Sequence, residues 1–462
     1  MKKIHFTGIC GTLMGNFALY MKEKGYEVKG SDHGIYPPMS DLLNQNEIHI
    51  YDGYTKENLT WNPDLIVIGN AMSRGNAEVE EILKKRLNFV SVPELIRNEM
   101  IAKNDCIVIS GTHGKTTTSS MIAKVFFECG KDPSFIIGGV PEGFSTGFRS
   151  GEGGVVILEG DEYDTAFFDK RSKFLHYFPN YLIINNIEFD HADIFNSLDD
   201  IILSFQRLVN IVPENGLIIV NGDDANALEA VKFSRAEVVK FGMSENCDYR
   251  ICNIDRSDSF VAFDLYHNMK LLDSLMLPVC GDYQLYNFTA SYIISTLYPL
   301  EREEVKKALF RFKNVKRRMD EKGLVNGGIV IEDFAHHPTA VKNVLNEVKR
   351  KYPDKKIIAC FESRSNTSVR NIFQKEITES LSLADIILIG KINRPERFTD
   401  KTILDLNKVK DHLSEIGKEI QVSLDSEEIA KYLNSNMDSD KLCLIMTNGE
   451  FGDLITKLKL EK

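Results

Sequence analysis

The chain has 462 residues, and at roughly 150 residues per domain this length suggests about three domains. Hydrophobic residues make up 43% and charged residues 27%, as in a globular protein with a large buried core. The formal net charge of −11 argues against sequence-independent nucleic-acid binding, because such binding uses clustered lysine and arginine. No apolar run reaches the ~18 residues of a membrane-spanning helix, so we expect no membrane association.

The eight cysteines are scattered and form no C-x-x-C pair. We therefore expect reduced thiols and a cytoplasmic protein. Glycines at 8, 11 and 15 interrupt the N-terminal stretch MKKIHFTGICGTLMG, which predicts a first strand and loop rather than a signal peptide.

Strands and helices alternate in the first hundred residues. KKIHFTGI, YEVKGSD and PDLIVIGN are predicted strands, and NFALYMKEKG is a predicted helix. This order indicates a Rossmann-like parallel sheet with helical crossovers. Asp32 ends the second strand, where it could hold a ribose hydroxyl. The glycine spacing of GICGTLMG differs from G-x-G-x-x-G, yet an NAD(P)-dependent oxidoreductase remains an alternative.

A second α/β unit begins at DCIVISG and continues into SGTHGKTTT, residues 110–118. The motif departs from the usual phosphate-binding loop, because Gly111 stands three residues before Gly114 rather than five. A strand still leads through a glycine turn into a helix, whose N–H groups and positive end favour an anion. Lys115 could neutralise the outer phosphates and Thr116 could bind Mg²⁺. A capped helix without a ligand is the alternative.

Two later strands of this unit end in acidic residues. Ligands bind at the carboxyl ends of strands in an open parallel sheet, so these groups predict a divalent metal between nucleotide and substrate. A solvated acidic turn and a hydrogen-bonded histidine are the alternatives. The side chains are Glu159, Asp161, Glu162 and Asp164 after the first strand, and Glu188, Asp190, His191 and Asp193 after the second.

Short alternating segments at 248–277 predict an antiparallel patch, and a third α/β unit follows at NVKRRMDEKG. Arg318 could neutralise charge on a transferring phosphoryl group, and Asp333, His336 and His337 cluster at a strand end. We place the domains at 1–100, 101–313 and 314–462. The residues alone indicate a three-domain α/β enzyme that uses ATP and Mg²⁺, for which a kinase, a ligase and an ATPase all fit. A nucleotide-gated binding protein is the non-catalytic alternative.

The motifs GTHGKTTT, EGDEYD, NNIEFDHAD, KRRMD and DFAHHPTA occur in this order along the whole chain. Together they resemble the Mur ligases, the ATP-dependent amino-acid and peptide ligases of cell-wall precursor synthesis. A second group, YPPMS, VIGNAMSRGN, FFDKRSKF, EFDHADIF and ESRSNT, is similar to the members that rejoin a salvaged L-alanyl-γ-D-glutamyl-meso-diaminopimelate tripeptide to UDP-N-acetylmuramate in peptidoglycan recycling. Members that add L-alanine share mainly the first group and are the alternative within the family.

The resemblance implies a Rossmann-like UDP-sugar domain, a central P-loop domain for ATP, and a Rossmann-like C-terminal domain for the peptide. It implies that ATP phosphorylates the lactoyl carboxylate and that the peptide amine attacks the resulting acyl phosphate. The partners would be small molecules, and the protein a monomer or weak homodimer.

The resemblance also implies residue roles. The implied ATP-binding residues are Gly111, Thr112, His113, Gly114, Lys115, Thr116, Thr117, Asn287, Arg318 and Asp333. The implied catalytic residues are Lys115, Glu159, His191, Arg318 and His336, with Thr116, Glu159 and His191 as metal ligands. The implied UDP-sugar residues are Gly11, Thr12, Asp32 and Asn70, and the implied peptide residues are Arg364, Asn366 and Asn448.

Two features depart from the family pattern. Gly281-Asp282-Tyr283-Gln284 replaces Gly-x-His-Asn before the helix expected to contact adenine, and LSFQRLVN contains no lysine that could carry a carbamate.

Overall fold

A computed structural model describes residues 2–37, 39–257, 260–278, 281–313, 315–397 and 402–461. Its N-terminal unit is a five-stranded, wholly parallel sheet of order β3-β2-β1-β4-β5. The carboxyl ends of β1, β2 and β4 therefore meet at one edge. The strands are β1 (Lys3–Thr7), β2 (Glu27–Asp32), β3 (His49–Asp52), β4 (Leu65–Ile68) and β5 (Phe89–Ser91). The helices are α1 (Thr12–Glu23), α2 (Met39–Gln45), α3 (Ala77–Lys85) and α4 (Val92–Ile96).

The central unit is a ten-stranded sheet of order β17-β16-β15-β14-β13-β12-β6-β9-β7-β8, with a separate hairpin of β10 and β11. Pairing is parallel from β15 to β7 and antiparallel at both ends, so the predicted antiparallel patch is confirmed as β15–β17. The strands are β6 (Asp105–Ser110), β7 (Ser134–Ile136), β8 (Phe148–Arg149), β9 (Val155–Gly160), β10 (Asp164–Ala166), β11 (Asp169–Ser172), β12 (Tyr181–Ile184), β13 (Leu217–Asn221), β14 (Glu237–Gly242), β15 (Tyr249–Arg256), β16 (Phe260–His267) and β17 (Lys270–Pro278). The helices are α5 (Lys115–Glu128), α6 (Leu198–Val209), α7 (Ala225–Val231), α8 (Asp282–Leu297) and α9 (Arg302–Phe310).

The third unit is a six-stranded sheet of order β18-β19-β23-β20-β21-β22, in which only the β18–β19 pair is antiparallel. The sequence did not predict β18, an edge strand with few apolar residues. The strands are β18 (Asp320–Val325), β19 (Gly328–Asp333), β20 (Lys356–Phe361), β21 (Ile386–Gly390), β22 (Glu419–Leu424) and β23 (Lys441–Met446). The helices are α10 (Pro338–Lys351), α11 (Gln374–Leu381), α12 (Leu406–Glu415), α13 (Ser426–Asn436) and α14 (Leu454–Lys457).

The α/β architecture with three mainly parallel sheets is confirmed. Central strands such as β6 and β23 read as continuous apolar runs because helices cover both faces of the sheet. Within the described ranges, no helix combines the length and apolar character needed to cross a bilayer.

The first two units share one apolar core, whereas the third has its own. One buried cluster joins Ile4 and Phe6 of the N-terminal sheet and Phe17 of α1 to Val108 and Leu158 of the central sheet. The buried clusters of the third unit contain described residues of that unit alone. The third unit is therefore the one that the hydrophobic effect ties least to its neighbours.

Candidate active site

The predicted phosphate-binding loop, residues 111–114, joins β6 to α5 and is called the phosphate loop below. The backbone geometry requires both of its glycines. Gly111 has φ +136°, and a Cβ there would lie 2.9 Å from the Asn186 carbonyl oxygen. Gly114, the N-cap of α5, has φ +82°, and a Cβ would clash with the Asn287 side-chain oxygen. Because α5 begins at Lys115, its first N–H groups and positive end face the cleft.

The ammonium group of Lys115 is held by Glu162, which the sequence offered only as one of eight candidate metal-binding residues. Lys115 Nζ donates to Glu162 Oε2 at 2.9 Å and to the Gly111 carbonyl at 2.6 Å. His191 Nε2 lies 2.9 Å from Glu162 Oε1, so one buried carboxylate joins the lysine to the histidine. The signal in the sequence was the acidic run EGDEYD, but only the fold shows which of its members turns inward.

The pKa shifts of the three members of this group all favour the charged form of the side chain. Burial raises the pKa of Glu162, but Lys115 and His191 outweigh this effect and bring it below its ordinary value. Burial likewise lowers the pKa of His191, yet the hydrogen bond and charge of Glu162 leave it raised. The pKa of Lys115 is also raised, because Glu162 and Asp161 outweigh its burial.

Thr116 and Glu159 form the oxygen-rich part of the site. Thr116 Oγ1 donates to Glu159 Oε1 at 2.9 Å, and the Gly138 N–H donates to Oε2 at 2.7 Å. Burial raises the pKa of Glu159 even though Lys115 and both hydrogen bonds oppose the shift. A half-buried carboxylate with incomplete charge compensation beside a hydroxyl is a donor set that fits Mg²⁺. His191, the third predicted metal ligand, lines the same cavity as this pair and contacts Glu162.

A cavity of about 530 Å³ lies between the central and third units. The phosphate loop, the ends of β9, β12 and β13, the start of α8, and the loops around Arg318 and His336 form its walls. The lining includes the predicted residues Thr112, His113, Gly114, Lys115, Thr116, Thr117, Glu159, His191, Asn287, Arg318, Asp333 and His336.

Asp333, at the end of β19, organises the wall contributed by the third unit. Its carboxylate accepts from the backbone N–H of Met319 and of Ala335, each at 2.8 Å. It thereby fixes the turn that carries Arg318, whose guanidinium lies over the Phe334 ring at 5.0 Å from the centroid. Burial raises the pKa of Asp333, although Arg318 opposes the shift.

His336 and His337 follow on the same wall. His336 Nδ1 lies 3.0 Å from the Phe334 carbonyl and His337 Nε2 lies 3.2 Å from the Phe189 carbonyl, so each contact fixes a ring orientation. Burial lowers the pKa of His336 and brings that of His337 to about 4. Both imidazoles are therefore neutral near pH 7.

The predicted adenine contact, Asn287, is buried and lies beside the phosphate loop on α8. Asn185 Nδ2 donates weakly to Asn287 Oδ1 at 3.5 Å, while the buried Asn185 Oδ1 has no partner among the described residues. In the altered segment before α8, Tyr283 donates its hydroxyl hydrogen to Glu347 Oε2 at 2.6 Å, which connects the central unit to α10.

The predicted UDP-sugar residues lie apart from this cavity, on the edge where β1, β2 and β4 end. Gly11 is the N-cap of α1, and Asn70 is exposed just after β4. The Asp32 carboxylate accepts from the Cys10 and His33 N–H groups at 2.8 Å and from the Tyr54 hydroxyl at 3.1 Å. Asp32 thus holds the glycine loop in shape. Thr12 begins α1 beside it.

The predicted peptide residues follow β20 and β23 in the third unit. Asn366 Nδ2 donates to Asp193 Oδ2 at 2.7 Å, across the boundary with the central unit. Arg364 Nη1 lies 3.7 Å from Glu362 Oε1. The buried Asn448 Oδ1 has no partner among the described residues.

Models of one protein family match successive parts of the chain. "Mur ligase family, catalytic domain" matches residues 3–104, "Mur ligase middle domain" 109–295, and "Mur ligase, glutamate ligase domain" 317–449. The domain limits at 100 and 314 stay a prediction.

Known proteins are similar over nearly the whole chain. The UDP-N-acetylmuramate–L-alanyl-gamma-D-glutamyl-meso-2,6-diaminoheptandioate ligase of Escherichia coli (strain K12) is 36% identical over 99% of this chain and 97% of its own. The UDP-N-acetylmuramate–L-alanine ligase of Clostridium tetani is 32% identical over 99% of this chain and 98% of its own. The crystal structure of a murein peptide ligase Mpl from Psychrobacter arcticus, 32% identical, has a TM-score of 0.72 and covers 99% of this chain and 98% of that one. The chain therefore belongs to the Mur ligase family.

Proposed function

We propose that the protein is an ATP-dependent ligase that joins the tripeptide L-alanyl-γ-D-glutamyl-meso-diaminopimelate to the lactoyl carboxylate of UDP-N-acetylmuramate. The cavity between the central and third units carries this proposal, because phosphate loop, acidic strand ends and a third-unit arginine line the same space. The name and 36% identity of the Escherichia coli relative support the tripeptide as acceptor. A family of ligases matched in all three units replaces the oxidoreductase alternative.

The reaction needs activation, because a free carboxylate does not react with an amine. Transfer of the terminal phosphoryl group of ATP to the lactoyl carboxylate gives an acyl phosphate and releases ADP. The alanine amine of the peptide then attacks the acyl carbonyl and loses a proton to solvent. The tetrahedral intermediate expels inorganic phosphate and leaves the amide. The protein contributes by positioning the reactants and neutralising charge.

In this scheme Lys115 binds the outer phosphates. Its ammonium group would leave Glu162 for the incoming triphosphate, while Glu162 remains paired with His191. Thr116 and Glu159 would hold Mg²⁺, with His191 beside them. A Mg²⁺ ion there would offset the phosphate charge.

Arg318 and Asp333 act from the third unit. Asp333 fixes the turn on which Arg318 stands, and Arg318 then stabilises charge on the transferring phosphoryl group. His336, held neutral by burial and with its Nδ1 proton directed at the Phe334 carbonyl, would present Nε2 to the reacting groups as a hydrogen-bond acceptor.

The remaining predicted residues would bind the UDP-sugar and the peptide. Gly11, Thr12 and Asn70 surround the loop that Asp32 holds, where the UDP portion would bind to backbone N–H groups of α1. Arg364, Asn366 and Asn448 would contact the peptide. A monomer or weak homodimer stays a prediction.

A substrate panel tests the proposal. Phosphate release is measured with ATP, Mg²⁺ and UDP-N-acetylmuramate, together with L-alanine, the tripeptide, or the corresponding tetra- and pentapeptides. We expect turnover with the tripeptide and little with L-alanine. Turnover with L-alanine alone would instead assign the activity named for the Clostridium tetani relative. ATP binding without turnover on any acceptor would indicate a nucleotide-gated binding protein.

A further inference from the structure

Three side chains with metal-binding atoms meet at the edge of the cavity, where His113 and His337 line it and Glu188 lies between them. His113 Nε2 lies 3.1 Å from Glu188 Oε2, and His337 Nδ1 lies 3.4 Å from the same oxygen. One ligand atom from each of the three residues lies within 4.8 Å of the other two. The predicted Mg²⁺ ligands Thr116 and Glu159 are not members of this cluster.

The spacing suits a small tetrahedral ion. Zinc bonds of 2.0–2.2 Å place neighbouring ligand atoms about 3.3 Å apart. Two sides of the cluster already have this length, and the third, at most 4.8 Å, would close by small side-chain rotations. Two imidazoles and one carboxylate also form a ligand set found at zinc sites with an open fourth position.

The surroundings prepare His337 for ligation. Its Nε2 lies 3.2 Å from the Phe189 carbonyl, and donation there places the proton on Nε2 and leaves the Nδ1 lone pair facing Glu188. The Thr339 N–H reaches Nδ1 only at 3.3 Å, a long hydrogen bond that a cation would replace. Such a hydrogen bond on the far nitrogen is the usual support for a metal-bound histidine.

We propose that His113, Glu188 and His337 form a binding site for Zn²⁺ or another borderline divalent ion, separate from the Mg²⁺ site. Nitrogen-rich sets favour such ions, whereas the hydroxyl and carboxylate of Thr116 and Glu159 favour Mg²⁺. His113 and Glu188 belong to the central unit, while His337 is the N-cap of α10 in the third unit. A bound ion therefore cross-links the two units and holds the cavity closed.

The test is a Zn²⁺ titration of the full chain without nucleotide, in excess Mg²⁺ to saturate the oxygen-rich site. We expect one Zn²⁺ per chain at this site, and at least about tenfold weaker binding in Glu188→Gln and in His337→Gln. His412→Gln, which removes an exposed histidine on α12, is the matched control and should bind as the wild type does. Thermal unfolding of each variant establishes that it is folded.

Two further measurements locate the ion. Co²⁺ in the wild type should give the intense visible bands of four-coordinate geometry, and His337→Gln should lose them. Small-angle scattering should show that Zn²⁺ compacts the wild type but not His337→Gln. Unchanged Zn²⁺ affinity in both ligand variants would overturn the proposal. So would loss of the Co²⁺ bands only in Glu159→Gln, because the ion would then occupy the Mg²⁺ site.

Discussion

The ammonium nitrogen of Lys115 lies 2.9 Å from a carboxylate oxygen of Glu162, where both side chains are largely withdrawn from solvent. This ion pair occupies the place where a P-loop lysine meets phosphate. We therefore expect Glu162 to compete with the nucleotide for the same cation.

Glu162→Gln should tighten nucleotide binding. The substitution keeps the size of the side chain and removes the charge that competes with the triphosphate for Lys115. We expect the dissociation constant of ADP or a non-hydrolysable ATP analogue to fall by up to about tenfold, or about 1.4 kcal/mol. Calorimetric titration of the nucleotide in the presence of Mg²⁺ measures the dissociation constant of each protein. Weaker binding would mean that the carboxylate helps to hold the metal rather than competing with phosphate.

Lys115→Met should impair both turnover and stability, for separable reasons. Removing the ammonium group leaves the Glu162 carboxylate buried beside only His191, and breaking a buried pair costs about 3–5 kcal/mol. Adding Glu162→Gln should recover much of the unfolding free energy without recovering turnover. Denaturant unfolding and phosphate release measure the two effects on Lys115→Met, on Glu162→Gln and on the double variant. Recovery of activity in the double variant would remove Lys115 from the mechanism.

The contact between Glu347 and Tyr283 should make the stability of the interface pH-dependent. Burial raises the pKa of Glu347 from 4.5 to about 7, and the charge of Asp333 adds to the increase. The Tyr283 hydrogen bond and the charges of Arg350 and Lys351 oppose it. The carboxyl is protonated more readily when folded, so its contribution is full below pH 4.5 and is lost as the pH rises through about 7.

Glu347→Gln tests this relationship, because the amide can still accept from Tyr283 but does not titrate. Between pH 5 and 8 the wild type should lose up to about 3 kcal/mol more unfolding free energy than the variant. Parallel denaturant titrations at several pH values measure the difference. Superimposable pH profiles would contradict the prediction.

Nucleotide and UDP-N-acetylmuramate should draw the third unit inward. In the proposed reaction Arg318 reaches phosphate from that unit, on a turn that Asp333 holds in place through the Met319 N–H. Small-angle scattering with a non-hydrolysable ATP analogue, Mg²⁺ and the UDP-sugar should show a smaller radius of gyration than the free protein. Arg318→Ala serves as the comparison, because it lacks the guanidinium group that would contact phosphate, and it should contract less. An unchanged radius in the wild type would exclude closure.

Local sequence patterns predicted the main elements well. The apolar run before SGTHGKTTT and the glycines within it specify a strand, a turn and a helix through short-range geometry, and β6, the loop and α5 follow that order. The Glu162 contact was not predictable in this way, because Glu162 and Lys115 are 47 residues apart and meet only when β9 pairs beside β6. The cluster of His113, Glu188 and His337 was not predictable for the same reason, because His337 belongs to the third unit and the other two residues to the central unit.

The third unit is attached to the central unit largely through hydrogen bonds. Asn366 donates to Asp193 at 2.7 Å, Arg370 Nη1 donates to the Ala192 carbonyl at 2.8 Å, and Tyr283 donates to Glu347 at 2.6 Å. A polar seam of this kind needs a few matched partners rather than a repacked interior. We therefore expect that natural selection can alter the third unit, or exchange it for a related one, while the interior of the central unit stays intact.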